Sequence, residues 1–157
     1  MRVLIVYQSQ DGHTRDIAEA IADGMSWDVT IAVSDVRCAS PDVPAGVGLL
    51  IVGGPSSAFA TASENGGRTG APDQDDLRAW LDAVIVPDPP PVFAAFDTSS
   101  RDAPRPEAAA RAAAQAARDR GFPSVTTASF RVAADGPAAA AELARATQWG
   151  AILTDPI

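Results

Sequence analysis

The sequence contains no lysine, and all 12 of its basic residues are arginine. Set against 20 acidic residues, they leave a net charge of −8. A chain of that sign does not suit the phosphate backbone of nucleic acid, which excludes nucleic-acid binding as a main function. It suits contact with a basic partner. Cys38 is the only cysteine, so an intrachain disulfide and a cysteine-rich metal site are both excluded. His13 is the only histidine, and a histidine metal cluster or a Ser-His-Asp triad would have to be built on it alone. No metal site is expected. No run approaches about 18 consecutive apolar residues, so no membrane-spanning helix is expected. Met1 to Tyr7 is too short for the apolar segment of a signal peptide and leads straight into a patterned helix. It reads as the first strand of a cytoplasmic protein.

What is present is an ordinary core. Apolar residues make up 46% of 157 positions, which suits one domain over residues 1–157. Val3 to Tyr7, Val47 to Val52 and Val92 to Phe96 are continuous apolar runs, as expected of strands buried on both faces. Trp27 to Val33 alternates, and Ser124 to Val132 is mixed in polarity; both suit sheet edges. Helical spacing appears in Ile17, Ala18, Ile21, Ala22 and Met25, and again in Leu77, Trp80, Leu81 and Val84. Asp73, Asp75 and Asp76 read as the solvated start of that second helix rather than as metal ligands. An alanine-rich helix is expected over Pro104 to Arg120, with Asp102 as its cap, and a last helix over Pro137 to Leu153. Trp27, Trp80 and Trp149 fall on apolar faces and are expected in the core, whereas Cys38 lies in a polar loop with nothing to activate it.

Strands and helices alternate, so the expected class is α/β: a five-stranded parallel sheet with helices on both faces. An alternating second strand at an edge and an inner first strand fit the order 2-1-3-4-5. Ligands of such sheets sit beyond the carboxyl ends of the strands, at the switch point between the first and third. The connections expected there begin at Gln8, Gly53 and Asp97.

The first of these, Ser9-Gln10-Asp11-Gly12-His13-Thr14, leaves a buried strand and opens a helix. Its backbone N–H groups, the helix dipole and two hydroxyls would hold a phosphate monoester without a cationic side chain. The plain alternative is a strand-to-helix turn with Asp11 as N-cap.

The same loop resembles the phosphate loop of flavodoxins, Ser/Thr-x-x-Gly-Asn/His-Thr. Ile51-Val52-Gly53-Gly54-Pro55-Ser56-Ser57-Ala58-Phe59 resembles their second, ring-flanking loop. Ala94-Ala95-Phe96-Asp97-Thr98 resembles the strand and third loop of a flavodoxin-like family common in actinobacteria. Ser129-Phe130-Arg131-Val132 and Trp149-Gly150-Ala151 resemble its last strand and helix. The resemblance covers the whole chain and implies a flavodoxin-like three-layer sandwich. It implies that Ser9, Gln10, Asp11, Gly12, His13 and Thr14 hold the phosphate of FMN. It implies that Pro55, Ser56, Ser57, Phe59, Asp97 and Thr98 flank its ring, with Phe59 as the aromatic face. The function implied is that of a flavoprotein in electron transport, or a small flavin-dependent oxidoreductase, working with a redox partner such as a basic reductase.

Some positions depart from the pattern. Asp11 stands where the family has Thr, Ser or an aromatic residue, Ser56-Ser57 replaces Thr-His, and Phe59 replaces Trp. A second reading follows from them: a flavodoxin fold without flavin, acting as a binding or regulatory module.

Overall fold

The computed structural model of the chain describes residues 1–9, 12–26, 28–55, 72–99, 108–131 and 140–154. The elements in chain order are β1 (Arg2–Tyr7), α1 (His13–Asp23), β2 (Thr30–Asp35), a 3-10 turn (Val36–Cys38), β3 (Val47–Pro55), α2 (Pro72–Ala83), β4 (Val92–Ser99), α3 (Ala108–Arg120), β5 (Val125–Arg131) and α4 (Ala140–Thr154). The strands form one five-stranded sheet in the order β2-β1-β3-β4-β5, with every neighbouring pair parallel.

The three continuous apolar runs occupy the middle of this sheet, where both faces must be covered. Val6, Leu50, Val52, Phe93 and Ala95 face α2 and α3. Val3, Ile5, Leu49, Ile51, Ala94 and Phe96 face α1 and α4. Alanines supply the sheet-facing side of α3: Ala109, Ala110, Ala113, Ala114 and Ala117 are all buried, and their small side chains let the helix sit close to the strands. On the other side α1 and α4 cross in close contact. A Cβ added to Gly24 would lie 1.8 Å from the Thr147 carbonyl oxygen, and one added to Gly150 would lie 2.0 Å from that of Ile21. Trp80 is buried and donates its indole N–H to the Ala39 carbonyl at 3.1 Å, while Trp149 is partly buried against Phe96 and Phe130. Cys38 is an exposed free thiol.

Boundaries differ from the sequence reading in ways that matter for the site. The second strand runs from Thr30 to Asp35 rather than from Trp27 to Val33. It keeps the same alternation phase: Ile31 packs inward, while Val33 is partly exposed at the free edge. The third strand continues past Val52 through Gly53, Gly54 and Pro55, and the fourth past Phe96 through Asp97, Thr98 and Ser99. These turn-type residues stay in the ladder because β3 and β4 pair with each other there, Gly53 with Phe96, Gly54 with Asp97 and Pro55 with Thr98. Pairing within the sheet overrides local propensity. Trp27, the start expected for the third helix at residues 102–106 and residues 137–139 of the last helix lie outside the described residues. Among the described residues, no helix is long and apolar enough to cross a membrane.

Candidate functional site

The register sets Tyr7 beside Gly53 and Gly53 beside Phe96, so β3 and β4 run on past the end of β1, to Pro55 and Ser99. Just past the end of β1, the Gln8 N–H donates to the Gly53 carbonyl at 2.9 Å. The chain then turns into α1. Gly12 adopts φ 90°, the left-handed region that glycine enters without strain, and occupies the N-cap position. The helix thus begins one residue later than a cap at Asp11 would have it. The Gly12 N–H donates to Ser9 Oγ at 3.0 Å, which closes the turn. The ladder of α1 begins with the Asp16 N–H on the Gly12 carbonyl at 3.0 Å. The earlier N–H groups of the first turn are therefore left to caps or ligands, at the positive end of the helix dipole.

Of the twelve expected site residues, Ser9, Gly12, His13, Thr14, Pro55, Asp97 and Thr98 are described. Gln10, Asp11, Ser56, Ser57 and Phe59 lie outside the described residues. The described ones converge on the switch point between β1 and β3. His13 and Thr14 are both buried at the start of α1, so His13 is part of the packed turn rather than a solvated loop residue. Thr14 Oγ1 lies 2.8 Å from Thr98 Oγ1, a buried contact that ties the first loop to β4 across 84 residues of sequence. Pro55 closes the β3 ladder opposite Thr98, at a terminal position that suits a residue without an N–H.

Asp97 does something the sequence did not announce. Its carboxylate is 1% exposed. Oδ2 accepts the Ala110 N–H in the first turn of α3 at 3.0 Å, and Oδ1 accepts the Ser129 hydroxyl of β5. A buried carboxylate needs such partners, and here both of its oxygens are engaged within the fold. Its side chain therefore faces α3, and its backbone lies level with Gly54 at the end of the sheet.

Gln8 is a further residue that sequence reasoning passed over. It is 4% exposed, and its Oε1 accepts the Leu77 N–H of α2 at 2.9 Å. Among the described residues its Nε2 finds no hydrogen-bond partner, and neither does the buried hydroxyl of Ser99 at the end of β4. Strand alternation puts both on the α2/α3 face of the sheet, at the carboxyl ends of the two strands that flank β3. No sequence signal marks either of them, because each is defined by contacts from distant elements.

The charged groups beside the first loop are largely paired among themselves. Arg15 holds Glu19 at 3.1 Å on the exposed side of α1. Burial pushes the Tyr7 phenol above its ordinary value; Arg15 opposes this and Asp35 adds to it. Burial also acts to raise Asp35, but hydrogen bonds from the side chain and backbone of Arg37 outweigh it and hold this carboxyl below its ordinary value.

Within the core, the ring of Phe96 lies over Gly53. A Cβ on that glycine would sit 2.0 Å from Phe96 Cε1 and Cζ. Phe96 meets Phe130 and Trp149 edge-on, with centroids 6.1 and 6.3 Å away. This cluster fixes β3 against β4 directly beneath the site.

No protein-family model matches the sequence, and no curated protein matches it. Solved structures do match. A flavodoxin from the domain Archaea superposes with a TM-score of 0.65 at 18% identity, over 99% of this chain and 97% of that one. Oxidised flavodoxin 1 from Bacillus cereus gives 0.67 at 15% identity, over 96% and 95%. The rubredoxin oxygen:oxidoreductase of Desulfovibrio gigas gives 0.60 at 15% identity, over 95% of this chain but 34% of that longer one. At these identities the likeness is one of architecture, and it agrees with the strand order, the parallel pairing and the helices on both faces. The chain has the flavodoxin-like fold.

Proposed function

We propose that this chain binds FMN at the carboxyl end of its sheet and acts as an electron-transfer protein, or as a small flavin-dependent reductase, with a redox partner. The observation that carries this is the turn at Gly12. A left-handed glycine delivers the chain from a buried strand into a helix N-terminus at the β1/β3 switch point, where a phosphate is favoured by backbone donors and the helix dipole.

The residues present fit the group. The phosphate end would be held by the first-turn N–H groups together with Ser9, His13 and Thr14, and by Gln10 and Asp11 through their backbone. The ring would lie between the connections after β3 and β4, with Pro55, Ser56, Ser57 and Phe59 on one side and the backbone of Asp97 and Thr98 on the other. Two buried groups without a partner among the described residues, Gln8 Nε2 and Ser99 Oγ, stand at the carboxyl ends of the two strands that flank β3. Buried polar groups in folded proteins are almost always bonded, so a polar ligand at this end of the sheet is a natural complement.

Bound FMN would supply the electron chemistry, and the protein would bind, orient and partly shield it. The net charge of −8 suits docking to a basic partner surface. Such a carrier would act in the cytoplasm as one domain. The flavin-free reading gains no support from the solved structures named above, two of which are flavodoxins.

The visible spectrum of the purified protein, followed by titration of the flavin-free form with FMN, tests the proposal. A yellow protein, or fluorescence quenching with a Kd at or below about 1 μM, is expected. A colourless protein that leaves FMN fluorescence unchanged at tens of micromolar would overturn it.

A further inference from the structure

We infer that the side chain of Thr98, whose backbone is placed beside the flavin ring, sets the specificity of the site for a phosphorylated ligand, by orienting the hydroxyl of Thr14 toward the phosphate. The inference rests on the proposed FMN site and adds to it a positioning residue outside the phosphate loop.

The geometry is that of the Thr14–Thr98 pair. Side chains alternate along β4, so Thr98 shares the face of Ala94 and Phe96, which is packed against α1 and α4. Its hydroxyl therefore lies at the first turn of α1, where its oxygen is 2.8 Å from that of Thr14. The two residues are 4% and 2% exposed. Water does not compete freely for either hydroxyl, and among the described residues each hydroxyl bonds the other.

A threonine hydroxyl has one proton and two lone pairs. Within the pair, one oxygen must donate and the other accept. If Thr14 donates to Thr98, its proton is spent on β4 and it turns lone pairs toward the loop, where an anion would be repelled. If Thr98 donates to Thr14, the Thr14 proton remains available for a phosphate oxygen. A bound phosphate thus selects the chain Thr98 to Thr14 to phosphate. Accepting one bond also polarises Thr14 and strengthens the bond it donates.

Without the Thr98 hydroxyl, Thr14 keeps a donor but loses what aims it. A threonine in the first turn of a helix then has local backbone carbonyls as competing acceptors. β4 makes the arrangement rigid, because it pairs with β3 on one side and β5 on the other at this level. An orienting group on a central strand is held far better than one on the loop itself. Because Thr98 acts through the phosphate contact, it affects FMN and not riboflavin, which has the same ring and side chain but no phosphate.

The test is paired titration of the flavin-free protein with FMN and with riboflavin, in the wild type and in Thr98→Val and Thr98→Ser. Thr98→Val is expected to weaken FMN binding about tenfold, the loss of roughly one hydrogen bond to a charged group, and to leave riboflavin binding unchanged. Thr98→Ser keeps the hydroxyl and is expected to restore FMN binding to near the wild-type value. Thr98→Cys has a weak donor and a small side chain; it is expected to fall between the two and serves as the variant of record if Thr98→Val does not fold. FMN binding in Thr98→Val equal to the wild type would overturn the inference. So would equal weakening of FMN and riboflavin, which would assign Thr98 to the ring or to general packing. A wild type that does not prefer FMN to riboflavin would overturn the phosphate site itself, a separate failure.

Discussion

Replacing Gly53 by alanine puts a methyl group where the Phe96 ring already lies. The added Cβ would be 2.0 Å from Cε1 and Cζ and 2.5 Å from Cδ1. Carbon atoms in contact sit about 3.5–4.0 Å apart, so the ring must retreat by about 1.5 Å or β3 must move away. Neither is easy. Phe96 is fully buried and packed edge-on against Phe130 and Trp149, and Gly53 lies in the ladder between β1 and β4. The cost should fall at the upper end of the range for overpacked cores, about 3 kcal/mol. For a domain of this size that corresponds to a fall in Tm of about 10 °C. The assay is urea unfolding followed by tryptophan fluorescence, with the midpoint expected to fall and the slope to stay constant. Phe96→Leu gives room to the same methyl group. The double variant Gly53→Ala/Phe96→Leu should therefore be more stable than the sum of the single effects predicts, with a coupling of at least about 1 kcal/mol. A Gly53→Ala protein within about 0.5 kcal/mol of the wild type, or strict additivity in the double variant, would refute the packing argument.

Two more predictions follow from the described contacts. Asp97→Ala strips the acceptor from the Ala110 N–H and the Ser129 hydroxyl and should cost about 3 kcal/mol, whereas Asp97→Asn keeps an acceptor for α3 and a partner for Ser129 and should cost about 1 kcal/mol; thermal melts decide, and an alanine variant as stable as the asparagine one would contradict the capping role. The depressed Asp35 carboxyl contributes stability that is present above its ordinary value of 3.8 and is lost as pH falls through its lower folded value. Arg37→Gln should thus lower stability at neutral pH by up to about 0.5 kcal/mol, and the gap should close as pH falls below the ordinary carboxyl value of 3.8 and through the lower folded value; a gap that widens in acid would contradict this sign.

The buried strands were legible because their residues are apolar without interruption, which leaves no exposed face to assign. Their ends were not. Gly53-Gly54-Pro55 and Asp97-Thr98-Ser99 have turn chemistry, and they remain strand only because β3 and β4 each find a partner at that level. The first loop was legible as a candidate site, since a lone glycine between a buried strand and a helix has few other uses, and Gly12 does take the left-handed conformation. What its neighbours do was not legible. Asp97 reads as a strand terminus facing a ligand, yet its carboxylate caps α3 and holds β5, partners 13 and 32 residues away. Gln8 reads as the first residue of a loop, yet it anchors α2 across 69 residues. Local pattern carries periodicity and turn type, and these pairings depend on which elements the sheet order brings together.

The central test is whether the turn around Gly12 binds a phosphate. Titrating the flavin-free protein with FMN and with riboflavin isolates that claim, because the two ligands differ only there. FMN should bind on the order of a hundredfold more tightly or better, as expected when two or more charge-assisted hydrogen bonds form to the phosphate. Equal affinities, or no binding of either flavin at tens of micromolar, would contradict the account.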